Sequence, residues 1–261
     1  MTRLRETFEE VPELYDRVRP GYPEELFDDL ARLADLRPGS RVLELGCGTG
    51  QATVALALRG YEVVAVELGA GLADVARRKL VPFPAVRIVN AAFEAWPLPD
   101  EPFDLVFAAT SFHWIDPGVR VAKSADALRP GGALAVVSTH HVAGGDEPFF
   151  VDSQSCYERW DPDAPPGLRL PAAADVPFDR EGFDASGRFD RVAFRRYERE
   201  LTYSARQYRD LLLTYSGHRA LEPGAQRGLL SCIVRLIEER YGGQIAKRYL
   251  NELAVGRRTA P

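Results

Sequence analysis

Cysteine is scarce in this 261-residue sequence, with Cys47, Cys156 and Cys232 far apart and in no C-x-x-C pair. That number and spacing suggest neither a disulfide framework nor a zinc site, so no metal is expected. Lysine is nearly missing too: Lys79, Lys123 and Lys247 are the lysines among 33 Lys+Arg residues. Positive charge does not dominate, because 38 Asp+Glu residues bring the formal net charge to −5. Domains that bind nucleic acid through bulk charge are usually strongly basic, so nucleic acid is not an expected partner. No apolar run approaches the roughly 20 residues needed to span a bilayer. Met1–Glu10 is charged and lacks the apolar stretch of a secretion signal. These absences predict a soluble cytoplasmic protein with no membrane partner. They leave the oligomeric state open.

What is present is an ordinary globular composition, 46% hydrophobic and 27% charged, sufficient for a sizeable core. Leu26, Phe27, Leu30, Leu33 and Leu36 recur at helical spacing before Pro38-Gly39 ends the run. Short apolar segments then alternate with helical ones. Arg41–Leu45, Glu62–Val66, Val86–Val89, Phe103–Ala108 and Ala133–Ser138 read as strands, and Thr53–Leu58, Leu72–Leu80 and Val119–Leu128 as helices. Strands that are apolar throughout imply a parallel sheet covered on both faces, hence a doubly wound α/β architecture. From 143 to 188 the regularity fails, but Phe149, Phe150, Tyr157, Trp160, Phe178 and Phe183 persist. Aromatics at that density predict an ordered insertion or cap. Pattern returns with a strand-like Phe189–Tyr203, helical Ala205–Thr214 and Gln226–Arg240, and a last strand over Gln244–Ala254. The expected organisation is one domain: an N-terminal cover (1–40), a core (41–142), an insertion (143–188) and C-terminal strands and helices (189–261).

The chemistry concentrates at Glu44-Leu45-Gly46-Cys47-Gly48-Thr49-Gly50, between the first strand and its helix. Glycines there permit a sharp turn and let a ligand approach the backbone. Open α/β sheets place ligands at the carboxyl ends of their strands. Glu67 closes the second strand about twenty residues later, where an acid can accept from both ribose hydroxyls. A dinucleotide loop would carry a third glycine where Gln51 stands, and a pyrophosphate would not favour a carboxylate at Glu44. A ligand bearing an amino group suits Glu44 better, which points to S-adenosylmethionine. Three histidines fall at strand ends, His113 after the fourth strand and His140 and His141 after the fifth. His113 is the candidate general base. His140, Phe112 and Trp114 are candidates to line a substrate pocket. Cys47 reads as a small space-filling residue of the loop.

The segment Val42-Leu43-Glu44-Leu45-Gly46-Cys47-Gly48-Thr49-Gly50 resembles the first motif of class I S-adenosylmethionine-dependent methyltransferases. Val63–Glu67, Phe103–Val106 and Leu128–Gly132 match further motifs in the right order. Tyr15–Pro23 and Phe112–Ile115 are similar to the branch containing trans-aconitate methyltransferase, which esterifies small carboxylic acids. The resemblance implies a Rossmann-like, mostly parallel seven-stranded sheet. It implies that Gly46, Cys47, Gly48 and Gly50 pass the methionine portion and that Glu44 orients its ammonium. Glu67 would hold the ribose, Leu68, Ala92 and Phe93 would flank the adenine, and Thr110 would complete the cofactor shell. Ala92 stands where many relatives have an Asp that accepts from the adenine amino group. Tyr15 and Arg19 would cover the methionine end, Arg19 as partner of its carboxylate, and Tyr22 would face the substrate. The implied reaction is methyl transfer to a small-molecule acceptor, a carboxylic acid first, leaving S-adenosylhomocysteine. A phenol or hydroxyl acceptor, an NAD(P)-dependent oxidoreductase and a cofactor-binding protein without catalysis are the alternative readings.

Overall fold

The computed structural model describes residues 11–184 and 186–259, so the charged segment Met1–Glu10 lies outside the described residues. Its centre is a mixed, mostly parallel seven-stranded sheet of order β3-β2-β1-β4-β5-β7-β6. Among the described residues, α1 (Pro12–Val18) and α2 (Glu24–Ala34) precede β1 (Arg41–Leu45). Then follow α3 (Gln51–Leu58), β2 (Glu62–Glu67), α4 (Ala70–Leu80), β3 (Val86–Asn90) and β4 (Phe103–Ala109). A single 3-10 turn, Phe112–Trp114, leads into α5 (Pro117–Ala127) and β5 (Leu128–Gly145). The insertion holds α6 (Glu147–Asp152), α7 (Gln154–Trp160) and the short α8 (Glu181–Asp184). The chain closes with β6 (Phe189–Ser204), α9 (Ala205–Leu212), α10 (Ser216–Ala220), α11 (Pro223–Arg240) and β7 (Gln244–Arg258). The doubly wound, Rossmann-like class expected from the pattern is the one observed.

Packing divides the chain into two compact units. The first comprises Pro20–Thr139, Phe178–Tyr197 and the described residues from Asn251 on. Here β1 pairs in parallel with β2 on one side (Leu45 opposite Val66) and with β4 on the other (Glu44 opposite Phe107). The strand order therefore reverses beside β1, and the crevice of such a sheet opens at the carboxyl end of that strand. Alternation sends Val42 to one face, with Leu26, Phe27, Leu30, Leu56 and Leu105. It sends Leu43 and Leu45 to the other, with Trp96, Val106, Ile115 and Leu134. Both faces are covered, which is why these strands read as apolar throughout. At the opposite end of the strands, the Asp104 carboxylate accepts from the Arg41 backbone N–H at 2.8 Å and from Arg129 Nε at 2.5 Å. The Phe-Asp-Leu-Val motif is thus a clasp between the start of β1 and the Arg-Pro-Gly-Gly turn. That turn does not separate α5 from the sheet. Leu128 already pairs with Phe103, a register shift follows, and β5 begins five residues before the expected Ala133.

The second unit comprises the described residues up to Arg19, His140–Pro177 and Glu198–Leu250. Its core is Phe149, Tyr203, Tyr208, Leu211, Leu229, Ile233, Ile237 and Tyr249. Helix starts are set by local chemistry. Ser204 and Gln207 form a capping box on α9, and Glu222 accepts from the Gly224 and Ala225 N–H groups ahead of α11. The cysteine reading is corrected here: Cys156 on α7 and Cys232 on α11 form a disulfide across a sequence separation of 76. No short spacing marks such a pair, because the fold brings the two helices together. Closing a loop of that length is worth about 4 kcal/mol on chain-entropy grounds. Thiol titration of denatured, unreduced protein is expected to find one reactive thiol, Cys47, and three after reduction. Three before reduction would show that the pair does not form.

Candidate active site

The loop after β1 turns on three glycines with positive φ: Gly46 (67°), Gly48 (58°) and Gly50 (86°). Gly46 is tighter than Gly50, since a Cβ there would lie 2.6 Å from the Ser111 Cβ, against 3.2 Å to Leu80 Cδ1 at Gly50. Ser111 is held against the loop because its hydroxyl donates to the Leu45 carbonyl. Glu67, at the end of β2, spans the loop: Oε2 accepts from the Gly48 N–H and Oε1 from the Gly69 N–H, each at 2.8 Å. The Asn90 side chain, at the end of β3, donates to the Glu67 and Leu68 carbonyls, each at 2.9 Å. Asn90 thereby fixes the backbone on which the half-buried Leu68 sits.

Glu44 is the unusual group. It is 1% exposed, and its Oε2 has no hydrogen-bond partner among the described residues. Burial pushes its pKa up to about 7, aided by the Glu67 charge and opposed by the Thr53 hydroxyl. In the same stretch the Thr49 Oγ1 and Gln51 Nε2 atoms are also buried without a partner among the described residues. Unpartnered buried polar atoms are costly, and native folds rarely gather several of them without a use. Cys47 is buried in the same loop with its thiol pKa pushed up by burial, so it stays an uncharged space-filler.

Around these, Ala92 caps a turn by accepting from the Ala95 and Trp96 N–H groups, and Phe93 is buried with the Lys123 ammonium 5.1 Å from its ring centroid. Thr110 follows β4 at φ 56°, a conformation that a β-branched residue seldom adopts and that recurs at functional sites. Its hydroxyl meets Tyr22 Oη at 3.0 Å and Thr139 Oγ1 at 3.1 Å, and Thr139 in turn accepts from Asn251 at 2.8 Å. The fold thus brings Tyr22, Glu44, Gly46, Cys47, Gly48, Gly50, Glu67, Leu68, Ala92, Phe93 and Thr110 to the carboxyl ends of β1–β4. Phe112, His113 and Trp114 form the 3-10 turn just beyond β4. Phe112 is half-buried with Arg120 over its ring, whereas His113 is exposed, 4.7 Å from the Trp114 ring. Partial loss of water and the Arg120 cation lower the His113 pKa, so its ring is neutral at pH 7.

Tyr15, Arg19 and His140 belong to the second unit. There Arg19 donates to the Thr214 hydroxyl (2.8 Å) and carbonyl (2.5 Å), with its guanidinium 4.8 Å from the Tyr15 ring and 4.6 Å from Tyr215. His140 is half-buried on β5.

Residues 43–136 match the family described as the methyltransferase domain. An uncharacterized methyltransferase of Mycobacterium bovis is 41% identical over 123 residues, 47% of this chain and 48% of that protein. Residues 43–136 are thus a methyltransferase domain. A trans-aconitate 2-methyltransferase of Paracidovorax citrulli is 36% identical to it over 129 residues, 48% of each chain. The chain therefore spans about half the length of the curated relatives it matches. Among solved structures, a candidate type II methyltransferase of Anaeromyxobacter dehalogenans aligns with TM-score 0.61 at 24% identity, over 93% of this chain and 99% of that one. A phosphoethanolamine N-methyltransferase of Haemonchus contortus, in complex with S-adenosylhomocysteine, aligns with TM-score 0.54 at 17% identity, over 97% of this chain and 58% of that one. At such identities the likeness is one of fold. The methyltransferase domain carries the whole glycine loop, Glu67 and Asn90.

Sequence reasoning missed Asn90, Ser111, Thr49 and Thr53. A polar residue closing β3 was a readable signal for Asn90. No pattern marks Ser111, whose role depends on which loop the fold sets beside Gly46.

Proposed function

We propose that this chain binds S-adenosylmethionine through its methyltransferase domain and passes the methyl group to a small-molecule acceptor, first among them a carboxylic acid. The observation that carries the reading is the buried, unpartnered Glu44 oxygen beside a loop too tight for any side chain at Gly46. Such a carboxylate suits an ammonium and opposes a phosphate. The methyltransferase structure with bound S-adenosylhomocysteine supports the same ligand by fold.

The chain's own residues divide the work. Glu44 would fix the amino group, Glu67 would accept from the ribose hydroxyls while still tying Gly48 to Gly69, and Leu68 with Phe93 would flank the base. Tyr22, Phe112 and Trp114 would border the acceptor. Arg19, Tyr15 and His140 stay candidates for the amino-acid end and the acceptor. When bound, S-adenosylmethionine supplies an activated methyl group on a positively charged sulfur, so the protein has mainly to align and dehydrate the acceptor. A carboxylate acceptor is already ionised at neutral pH and needs no base. A phenol needs one, and neutral His113 fits that task. The similarity to a methyltransferase named for trans-aconitate favours the acid.

Glu67→Ala is expected to lose two hydrogen bonds to the ligand, roughly 1 kcal/mol or more each, and so to weaken S-adenosylhomocysteine binding about thirtyfold. Unchanged affinity by calorimetry would remove Glu67 from the site. The acceptor class is tested by incubating the protein with methyl-labelled S-adenosylmethionine and matched panels of carboxylic acids and phenols. Label in base-labile esters, with His113→Ala unimpaired in turnover, fits the acid. Label in phenols, with turnover lost in His113→Ala, contradicts it.

A further inference from the structure

The second unit contains a pocket of about 160 Å³ between α6, α7, α9 and β7. At its base is Lys247, 3% exposed. Strand alternation places it inward between Ile245 and Tyr249, where an aliphatic side chain would complete the core. Its ammonium instead lies 5.4–5.8 Å from the ring centroids of Phe150, Tyr208, Tyr215 and Tyr249. The Tyr215 hydroxyl is its hydrogen-bond partner, and no carboxylate among the described residues lies within ion-pair distance. Lysine is scarce in this chain, and the half-buried Lys123 is engaged by the Glu94 and Trp96 carbonyls.

A buried cation without a counter-charge costs several kcal/mol, which aromatic faces offset only in part. The charged surroundings add to the imbalance. Arg19 and the neutral rings of His141 and His218 lie near it, while on the lining Arg169 and the acid Glu147 are both exposed. A second donor faces the same space: Tyr208 lines the pocket, and its hydroxyl makes no hydrogen bond among the described residues. By contrast the Ser153 and Gln154 side chains are already bonded to the Phe150 carbonyl, and Tyr157 to His218. A protein cavity of roughly 150 Å³ holds a benzene-sized molecule.

We infer that this pocket is a binding site for a compact monocarboxylate with a ring or branched apolar body, its carboxylate on Lys247 and Tyr208 and its body against Phe150. The inference is independent of methyl transfer, because binding is measured on the full chain with no cofactor present. Benzoate is the probe, titrated by calorimetry beside benzyl alcohol, which keeps the ring and lacks the charge. The expected result is saturable benzoate binding at least tenfold tighter than benzyl alcohol. Lys247→Met should lose at least tenfold in benzoate affinity, and Tyr208→Phe severalfold. Benzoate should raise the melting temperature of the wild type and leave that of Lys247→Met unmoved, although Lys247→Met itself melts no lower than wild type. No saturable benzoate binding, equal affinity for the alcohol, or full affinity in Lys247→Met would each overturn the assignment.

Discussion

Glu44→Gln is expected to stabilise the ligand-free protein at pH 8 and to abolish tight binding of S-adenosylhomocysteine. The reason is one carboxyl group with a pKa moved from 4.5 to about 7 by burial. A carboxyl whose folded pKa is raised favours folding when protonated. Its contribution is therefore complete below about 4.5 and is lost as the pH rises through about 7. Above pH 7 the ionised, buried Glu44 costs on the order of 3 kcal/mol. Gln keeps the shape without the charge, so the variant's advantage should grow from near zero at pH 4.5 to about 2–3 kcal/mol at pH 8. In a chain of this size that is a rise of roughly 5–10 °C in melting temperature. Binding responds in the opposite sense. An ammonium ligand needs the carboxylate, so wild-type affinity should fall up to tenfold per pH unit below about 7. The variant should bind about a hundredfold more weakly at pH 8, since a buried charge-assisted hydrogen bond is lost, and its affinity should not change between pH 6 and 8. A variant less stable than wild type at pH 8, with undiminished binding, would show that Glu44 is a structural acid.

Gly46→Ala should be nearly as damaging. At φ 67° a side chain is strained by about 1–2 kcal/mol, and the new Cβ would meet the Ser111 Cβ at 2.6 Å. Ser111 cannot yield freely, since its hydroxyl is bonded to the Leu45 carbonyl. The loop must move, and with it the Gly48 N–H that Glu67 holds. The expected outcome is a fall of several degrees in melting temperature and loss of measurable S-adenosylhomocysteine binding. Adding Ser111→Gly removes the clash and leaves the strain. The double variant should therefore recover part of both losses, and the coupling measures the contact itself. Strict additivity of the two substitutions would contradict the geometry.

Glu44 and Gly46 are both legible in the amino-acid sequence. Glycines and acids at strand ends have meanings set by backbone freedom and charge, and these are local properties. The same locality explains what the sequence hides. The Arg-Pro-Gly-Gly turn reads as a break, yet β5 pairs through it because Phe103 lies opposite Leu128. Cys156 and Cys232 are 76 residues apart, and only the packing of α7 on α11 makes them a pair. Ser111 and Asn90 act on backbone atoms of other loops, so their roles depend on which strands become neighbours. Lys247 is marked by no motif in the sequence and is buried because β7 alternates it inward. Arg19 reads as a partner for a carboxylate, and within its own unit it is bonded to Thr214.

The measurement that bears most directly on the glycine loop is a calorimetric titration of the wild-type chain at pH 8 with S-adenosylhomocysteine and, separately, with NADH. A buried Glu44 carboxylate beside Gly46 predicts one-to-one binding of S-adenosylhomocysteine that weakens at pH 6, and no binding of NADH. Binding of NADH with no detectable binding of S-adenosylhomocysteine would contradict it.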